Sequence, residues 1–203
     1  IYLANSLQQG FIYHALNQGD VDDAYRVQLI WQYNNHLDQE KLRQAWEYAQ
    51  AKYGALRLRF AWEGELVQII DKKVNIDWRY IDLRDETNKQ VQDAKIRDIQ
   101  KRDREEVYKL EEGDLFRVYL IKQREDLYSC IFSSHHAILD GWSNPILLGY
   151  IHETYLKLCD QGSVKEPITL SIDKAYEEAQ RFLQEHTSDN KEYWDNYVAQ
   201  IEE

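Results

Sequence analysis

Methionine is absent from these 203 residues, and cysteine and proline each occur only twice. A natural chain starts with methionine, so this one is expected to be a piece of something longer or a processed product. Its opening, IYLANSLQQG, begins in the middle of a motif and points the same way. Cys130 and Cys159 form no C-x-x-C pair, and two cysteines in a chain of this length build no disulfide framework. A reducing, cytoplasmic setting is the expectation. Cys130 lies in the apolar stretch YSCIF and reads as a small core residue. With 2 Pro and 8 Gly there is no Pro- or Gly-rich linker, so one domain over 1–203 is expected. No apolar run approaches the ~20 residues of a membrane span. The residues given also hold no basic n-region followed by an apolar h-region. Positive charge is scarce as well: 25 Lys and Arg stand against 36 Asp and Glu, for a net charge of −11. A protein that grips nucleic-acid phosphates needs the opposite field, and an acidic surface is repelled by anionic membranes. Nucleic acid and membrane are therefore excluded as partners.

What is present is a core-forming chain, 43% hydrophobic and 13% aromatic. LQQGFIYHALNQ, after Ser6 as N-cap, has near-helical apolar spacing, with Gly19 as its stop. AYRVQLIWQYN alternates with period two, so Tyr25, Val27, Leu29, Trp31 and Tyr33 share one face of a half-buried strand. Asp38 caps a second helix whose stripe is Leu42, Ala45, Trp46, Ala49 and Tyr53, ending at Gly54. ALRLRFAW and LVQIID flank a Glu63-Gly64 turn and read as a hairpin. IDWRYIDL is another short strand. The polar run 85–109, with Val91, Ala94, Ile96, Ile99, Val107 and Tyr108 its sparse apolar positions, predicts a solvent-facing helix laced with charge pairs. LFRVYLIKQ and LYSCIFSSH flank Arg124-Glu125-Asp126 as a second hairpin. A helix then follows with Ser143 or Asn144 as cap and Pro145 in its first turn. Helices over roughly 173–186 and 189–202 close the chain. The expected fold is mixed α/β, an α+β sandwich with a mostly antiparallel sheet and helices on one side.

Residues 133–143, SSHHAILDGWS, hold the chemistry. Adjacent strand residues point to opposite faces, so His135 and His136 do not both face one cavity. That argues against a metal, and no carboxylate stands at H-E-x-x-H spacing; no metal is expected. No G-x-S-x-G elbow occurs and neither cysteine adjoins the pair, so covalent catalysis is not indicated. One imidazole working as general base or charge stabiliser is, since its protonation changes near neutral pH. A satisfied polar knot of His135, His136 and Asp140 at a strand end is the other reading, and residue types alone leave both open.

Order narrows the choice. H-H-x-x-x-D-G followed by Trp-Ser resembles the signature of the condensation domains of non-ribosomal peptide synthetases, whose fold is chloramphenicol-acetyltransferase-like. SLQQGFIYHAL (6–16) is similar to that family's first motif, in the form typical of domains that take a D-configured donor. ALRLRF (55–60) resembles its second motif at Leu56, Arg57 and Phe60. There the family's Arg-His-Glu is replaced by Lys52-Tyr53-Gly54, and its Thr by Leu58. AYEEAQRFLQ (175–184) and KEYWDNYVAQIEE resemble later segments. The likeness covers the whole chain and about half of a family domain, its N-terminal lobe.

The resemblance implies an enzyme that forms an amide between a carrier-bound donor thioester and the amine of a carrier-bound acceptor. It implies His136 as the catalytic histidine, with His135, Asp140 and Arg57 holding the site, Arg57 by an ion pair to Asp140. Such a pair, if buried, costs ~3–5 kcal/mol to break from one side. Gly141, Trp142 and Ser143 are implied to line the substrate channel. No cofactor of its own is implied, since 4′-phosphopantetheine is borne by the carriers. The implied partners are upstream and downstream peptidyl carrier proteins, the C-terminal lobe and a neighbouring adenylation domain. An epimerisation domain shares the signature, and a non-catalytic carrier-docking lobe is the competing class. A cyclisation domain, with Asp in place of the histidines, is disfavoured by His135 and His136. An isolated lobe is expected to be inactive and to expose apolar surface.

Overall fold

The computed structural model describes residues 1–18, 24–73, 75–162, 174–186 and 188–200. Its centre is a four-stranded sheet in the order β2-β7-β6-β5, made of β2 (Arg26–Tyr33), β5 (Asp77–Asp82), β6 (Phe116–Arg124) and β7 (Leu127–His135). The hairpin expected around Arg124–Asp126 is the antiparallel pair β6–β7, and β2 adds antiparallel to β7. β5 pairs with β6 in parallel, with α3 (Lys89–Glu105) between them in sequence. Parallel neighbours need such a crossover, because a tight turn only reverses a chain. A smaller sheet joins β1 (Tyr2–Leu3), β4 (Val67–Ile70) and β3 (Leu58–Ala61) in the order β1-β4-β3.

Residues Phe116–Gln123 of β6 are buried without interruption, which requires cover on both faces of the sheet. On one face Phe116, Val118, Leu120, Tyr128, Cys130 and Phe132 meet α1 (Ser6–Gln18), α2 (Gln39–Lys52) and α4 (Ser143–Gln161). Trp46 of α2 is fully buried there, 4.9 Å from Phe132 and 6.2 Å from Phe116 between ring centroids. On the other face Tyr119, Ile121 and Ile131 pack against Ile96 and Ile99 of α3. The expectation of helices on one side is corrected at this point: α3 covers the second face. Its charge disguised this, because only two isoleucines are needed once polar side chains complete the contact. Asp103 of α3 is buried against Arg117 at 2.8 Å and receives a bond from Gln28 at 2.6 Å.

Capping chemistry sets the helix starts. Asp38 caps α2, accepting from the Lys41 N–H. α1 is capped by Asn5, one residue ahead of the expected Ser6. The Gln8 N–H bonds Asn5 Oδ1 at 2.9 Å while the Asn5 N–H bonds Gln8 Oε1 at 3.0 Å, a reciprocal capping box. The expected stop at Gly19 lies outside the described residues. α4 ends at Gly162 with φ 70°, a backbone that favours glycine. α5 (Lys174–Glu185) and α6 (Lys191–Ala199) follow. Cys130 is wholly buried in β7, whereas Cys159 is exposed on α4. Among the described residues no helix is long and apolar enough to cross a membrane.

Candidate active site

β7 delivers the two histidines. His135 pairs with Arg26 of β2, and its N–H bonds the Leu115 carbonyl at 2.9 Å. One residue later the His136 N–H bonds the Tyr25 carbonyl at 2.7 Å, and the chain turns into the loop leading to α4. Strand alternation sends the rings to opposite sides.

His135 is buried, its ring edge-on to Tyr108 at 6.3 Å. Its Nδ1 accepts the Ala137 N–H at 3.1 Å, so the ring proton sits on Nε2. Burial, then the charge of Arg26 and the neighbouring His136, push its pKa down to about 4. At neutral pH it is an uncharged structural acceptor that closes the turn.

His136 is half-buried and lies on the α1 side, where Phe11 stacks on it at 5.3 Å and 27°. Its Nδ1 lies 2.9 Å from the Leu139 carbonyl. A carbonyl only accepts, so Nδ1 carries the proton and the neutral ring keeps an acceptor lone pair on Nε2. Among the described residues nothing bonds that nitrogen. Phe11 is backed by Tyr25 at 4.4 Å, and His14 abuts Tyr25 edge-on at 5.0 Å. Tyr25 holds φ 64°, the left-handed region a tyrosine seldom adopts, while its carbonyl serves His136. Phe11 and Tyr25 were not singled out from sequence as site residues. Phe11 falls inside the SLQQGFIYH motif, but nothing in the sequence marks the backbone of Tyr25.

Asp140 is exposed and satisfied within its own loop. It accepts from the Ser143 N–H at 2.8 Å and from Ser143 Oγ at 2.7 Å, bonds that lower its carboxyl pKa. Arg57 lies elsewhere, in the 3₁₀ turn Gly54–Arg57 that follows α2. Its guanidinium donates to the carbonyls of Gln50 at 2.9 Å, Ala51 at 3.3 Å and Asp71 at 2.7 Å. The Arg57–Asp140 ion pair implied by the resemblance is therefore not formed. Arg57 is buried and bound to backbone, while Asp140 faces solvent and stiffens the entry to α4. Ser143 thus serves Asp140 as a donor and does not cap the helix with its own side chain.

Gly141 and Trp142 stand exposed in the same loop, Trp142 at 86%. A Cβ built on Gly141 would meet nothing within 4 Å, and its φ is not in the left-handed region. Among the described residues neither packing nor backbone calls for a glycine there. Among the described residues no cluster of three His, Cys, Asp or Glu is placed to hold a metal ion.

The whole chain, residues 1–203, matches the sequence profile of the Condensation domain family. It is 45% identical over all 203 residues to the N-(5-amino-5-carboxypentanoyl)-L-cysteinyl-D-valine synthase of Penicillium rubens, of which it spans 5%. To the synthase of the same name from Amycolatopsis lactamdurans it is 47% identical over 202 residues, 99% of this chain and again 5% of the relative. In structure it is similar to the starter condensation domain of rhizomide synthetase RzmA. The TM-score is 0.78 at 19% identity, over 98% of this chain and 50% of that one. The chain belongs to the condensation-domain family of the non-ribosomal peptide synthetases.

Proposed function

We propose that this chain is the N-terminal lobe of a peptide-bond-forming condensation domain and that His136 is its catalytic residue. The observation that carries this reading is the imidazole's fixed tautomer. The Leu139 carbonyl holds the proton on Nδ1 and leaves Nε2 as an acceptor on a half-buried ring. An acceptor amine attacking a thioester must lose a proton as the tetrahedral intermediate forms. A lone pair aimed at that amine orients it and takes the proton as positive charge develops. The C–S bond then breaks and the sulfur leaves as the thiol of the donor carrier's pantetheine arm, taking back the proton from His136, so the amide forms without an enzyme-bound acyl group. The 4′-phosphopantetheine belongs to the upstream and downstream carrier proteins. The domain needs no cofactor of its own.

Gly141 fits a place where an arm passes, because nothing among the described residues requires the absence of a side chain there. With Trp142 and Ser143 it forms the channel wall in this reading. A second lobe is supported by the half-length match to a solved condensation domain and by apolar side chains left exposed on three helices. Leu7 and Leu16 on α1, Ile146 on α4, and Trp194 on α6 are more than half exposed. The isolated lobe is accordingly inactive, since the channel runs between two halves. The motif SLQQGFIYH supports a D-configured donor.

The test is dipeptide formation by the full-length native protein with both neighbouring carriers loaded, D- and L-donors run in parallel and product read by mass spectrometry. Wild type should form the amide, and His136→Ala should lower the rate by ~10²-fold or more. Solvent exchange at the donor α-carbon without an amide would move the assignment to epimerisation. Carrier binding with neither reaction would leave a docking lobe.

A further inference from the structure

We propose that Gln68 is a positioning residue for His136, acting through Gln8 on the peptide that follows the histidine; this rests on the reading of His136 as the working group. Gln68 sits in β4 opposite Tyr2 and Phe60, and its side chain is wholly inaccessible to solvent. A primary amide has two N–H donors and two acceptor lone pairs, and here all four are engaged. Nε2 donates to the Leu3 carbonyl at 3.0 Å and to Gln180 Oε1 at 2.7 Å. Oε1 accepts from Gln8 Nε2 at 3.0 Å and from the Tyr176 hydroxyl.

Gln8 carries this hub to the site. Its second Nε2 hydrogen reaches the Ala137 carbonyl at 3.3 Å, and its Oε1 is held by the Asn5 N–H. Ala137 is thereby fixed at both ends, because its own N–H donates to His135 Nδ1. Two residues further on is the Leu139 carbonyl that sets the His136 tautomer. The turn carrying the imidazole is therefore braced from β4, and β4 from Tyr176 and Gln180 of α5. Gln68 touches no reacting atom. A network whose only purpose was stability would gain nothing from polarity here, since apolar isosteres of buried polar groups are often neutral. A network that fixes the orientation of one imidazole needs directional bonds, and amides satisfied on every side supply them.

Two variants of the full-length protein test this, Gln68→Met and Tyr176→Phe. One readout is steady-state amide formation with loaded carriers. The other is the rate at which diethyl pyrocarbonate modifies His136, mapped by peptide mass spectrometry with the exposed His186 as internal reference. Loosening of the turn in Gln68→Met should lower kcat about tenfold with KM within about twofold, since small misplacements of a reacting group are costly. It should also raise the modification rate at His136 and leave that at His186 unchanged. A folded Gln68→Met with wild-type kcat and wild-type His136 reactivity overturns the proposal. If that variant does not fold, Tyr176→Phe decides, since it removes one hydroxyl from the hub. A lower kcat with raised His136 reactivity supports the brace, and no change in either overturns it. Wild type that makes no amide would defeat the functional reading alone, because the modification rates still report whether Gln68 holds His136.

Discussion

Tyr25 supports His136 in two ways at once. Its carbonyl accepts the histidine N–H at 2.7 Å, and its ring backs the Phe11 that stacks on the imidazole. The backbone that makes both possible is left-handed, at φ 64°.

That conformation inverts a familiar order of substitutions. Glycine adopts positive φ at little cost, whereas alanine keeps the strain and also lacks the ring. Tyr25→Gly is expected to be more stable than Tyr25→Ala by about 1 kcal/mol. Urea denaturation of both variants checks this. Alanine equal to or better than glycine would mean that Tyr25 is not held in the left-handed region.

His135 gives the fold a defined acid sensitivity. Its pKa falls from 6.5 unfolded to about 4 folded, through burial first and then the charge of Arg26. The folded state refuses a proton that the unfolded state accepts. Its contribution is therefore complete above pH 6.5 and lost as the pH falls toward 4, by about 3 kcal/mol across that window. Relative to His135→Leu, the wild type should lose ground steadily between these pH values and level off below them. A pH-independent difference in denaturation free energy would contradict this.

Arg57 and Asp140 should behave as strangers. Asp140→Ala removes a capping contact at the entry to α4 and should cost about 1 kcal/mol. Arg57→Met abandons three carbonyl acceptors, two of the bonds buried, and should cost about 2–4 kcal/mol. The double variant should equal the sum within about 0.5 kcal/mol. A coupling of several kcal/mol in that cycle would restore the ion pair that the family resemblance implies.

The parts of the fold that follow local rules were legible in the sequence. Asp38, Leu42, Ala45, Trp46 and Ala49 predict α2, and the turn at Arg124–Asp126 predicts the β6–β7 hairpin. The histidine pair at a strand end predicts rings on opposite faces. What stayed hidden depends on distant partners. β1 is two residues long and exists through its pairing with β4. α3 reads as a solvated helix because Asp103 and Gln92 are buried beside Ile96 and Ile99, and their partners lie far along the chain. Gln68 resembles any polar residue of an alternating strand, and only the folded arrangement shows it at the centre of four bonds. The Arg57–Asp140 pairing came from likeness alone, and the local geometry of Asp140 displaced it.

The contrast between the two cysteines has a practical consequence. Cys159 stands in solvent on α4, so a maleimide dye attaches there to the native protein and gives that helix a fluorescent marker. Cys130 is sealed between β2 and β6, and burial pushes its thiol away from the reactive thiolate. It takes up reagent only when the sheet opens. In a chain without methionine to confuse the mass shift, the second labelling event is thus a stopwatch on the unfolding of the strand that leads into His136.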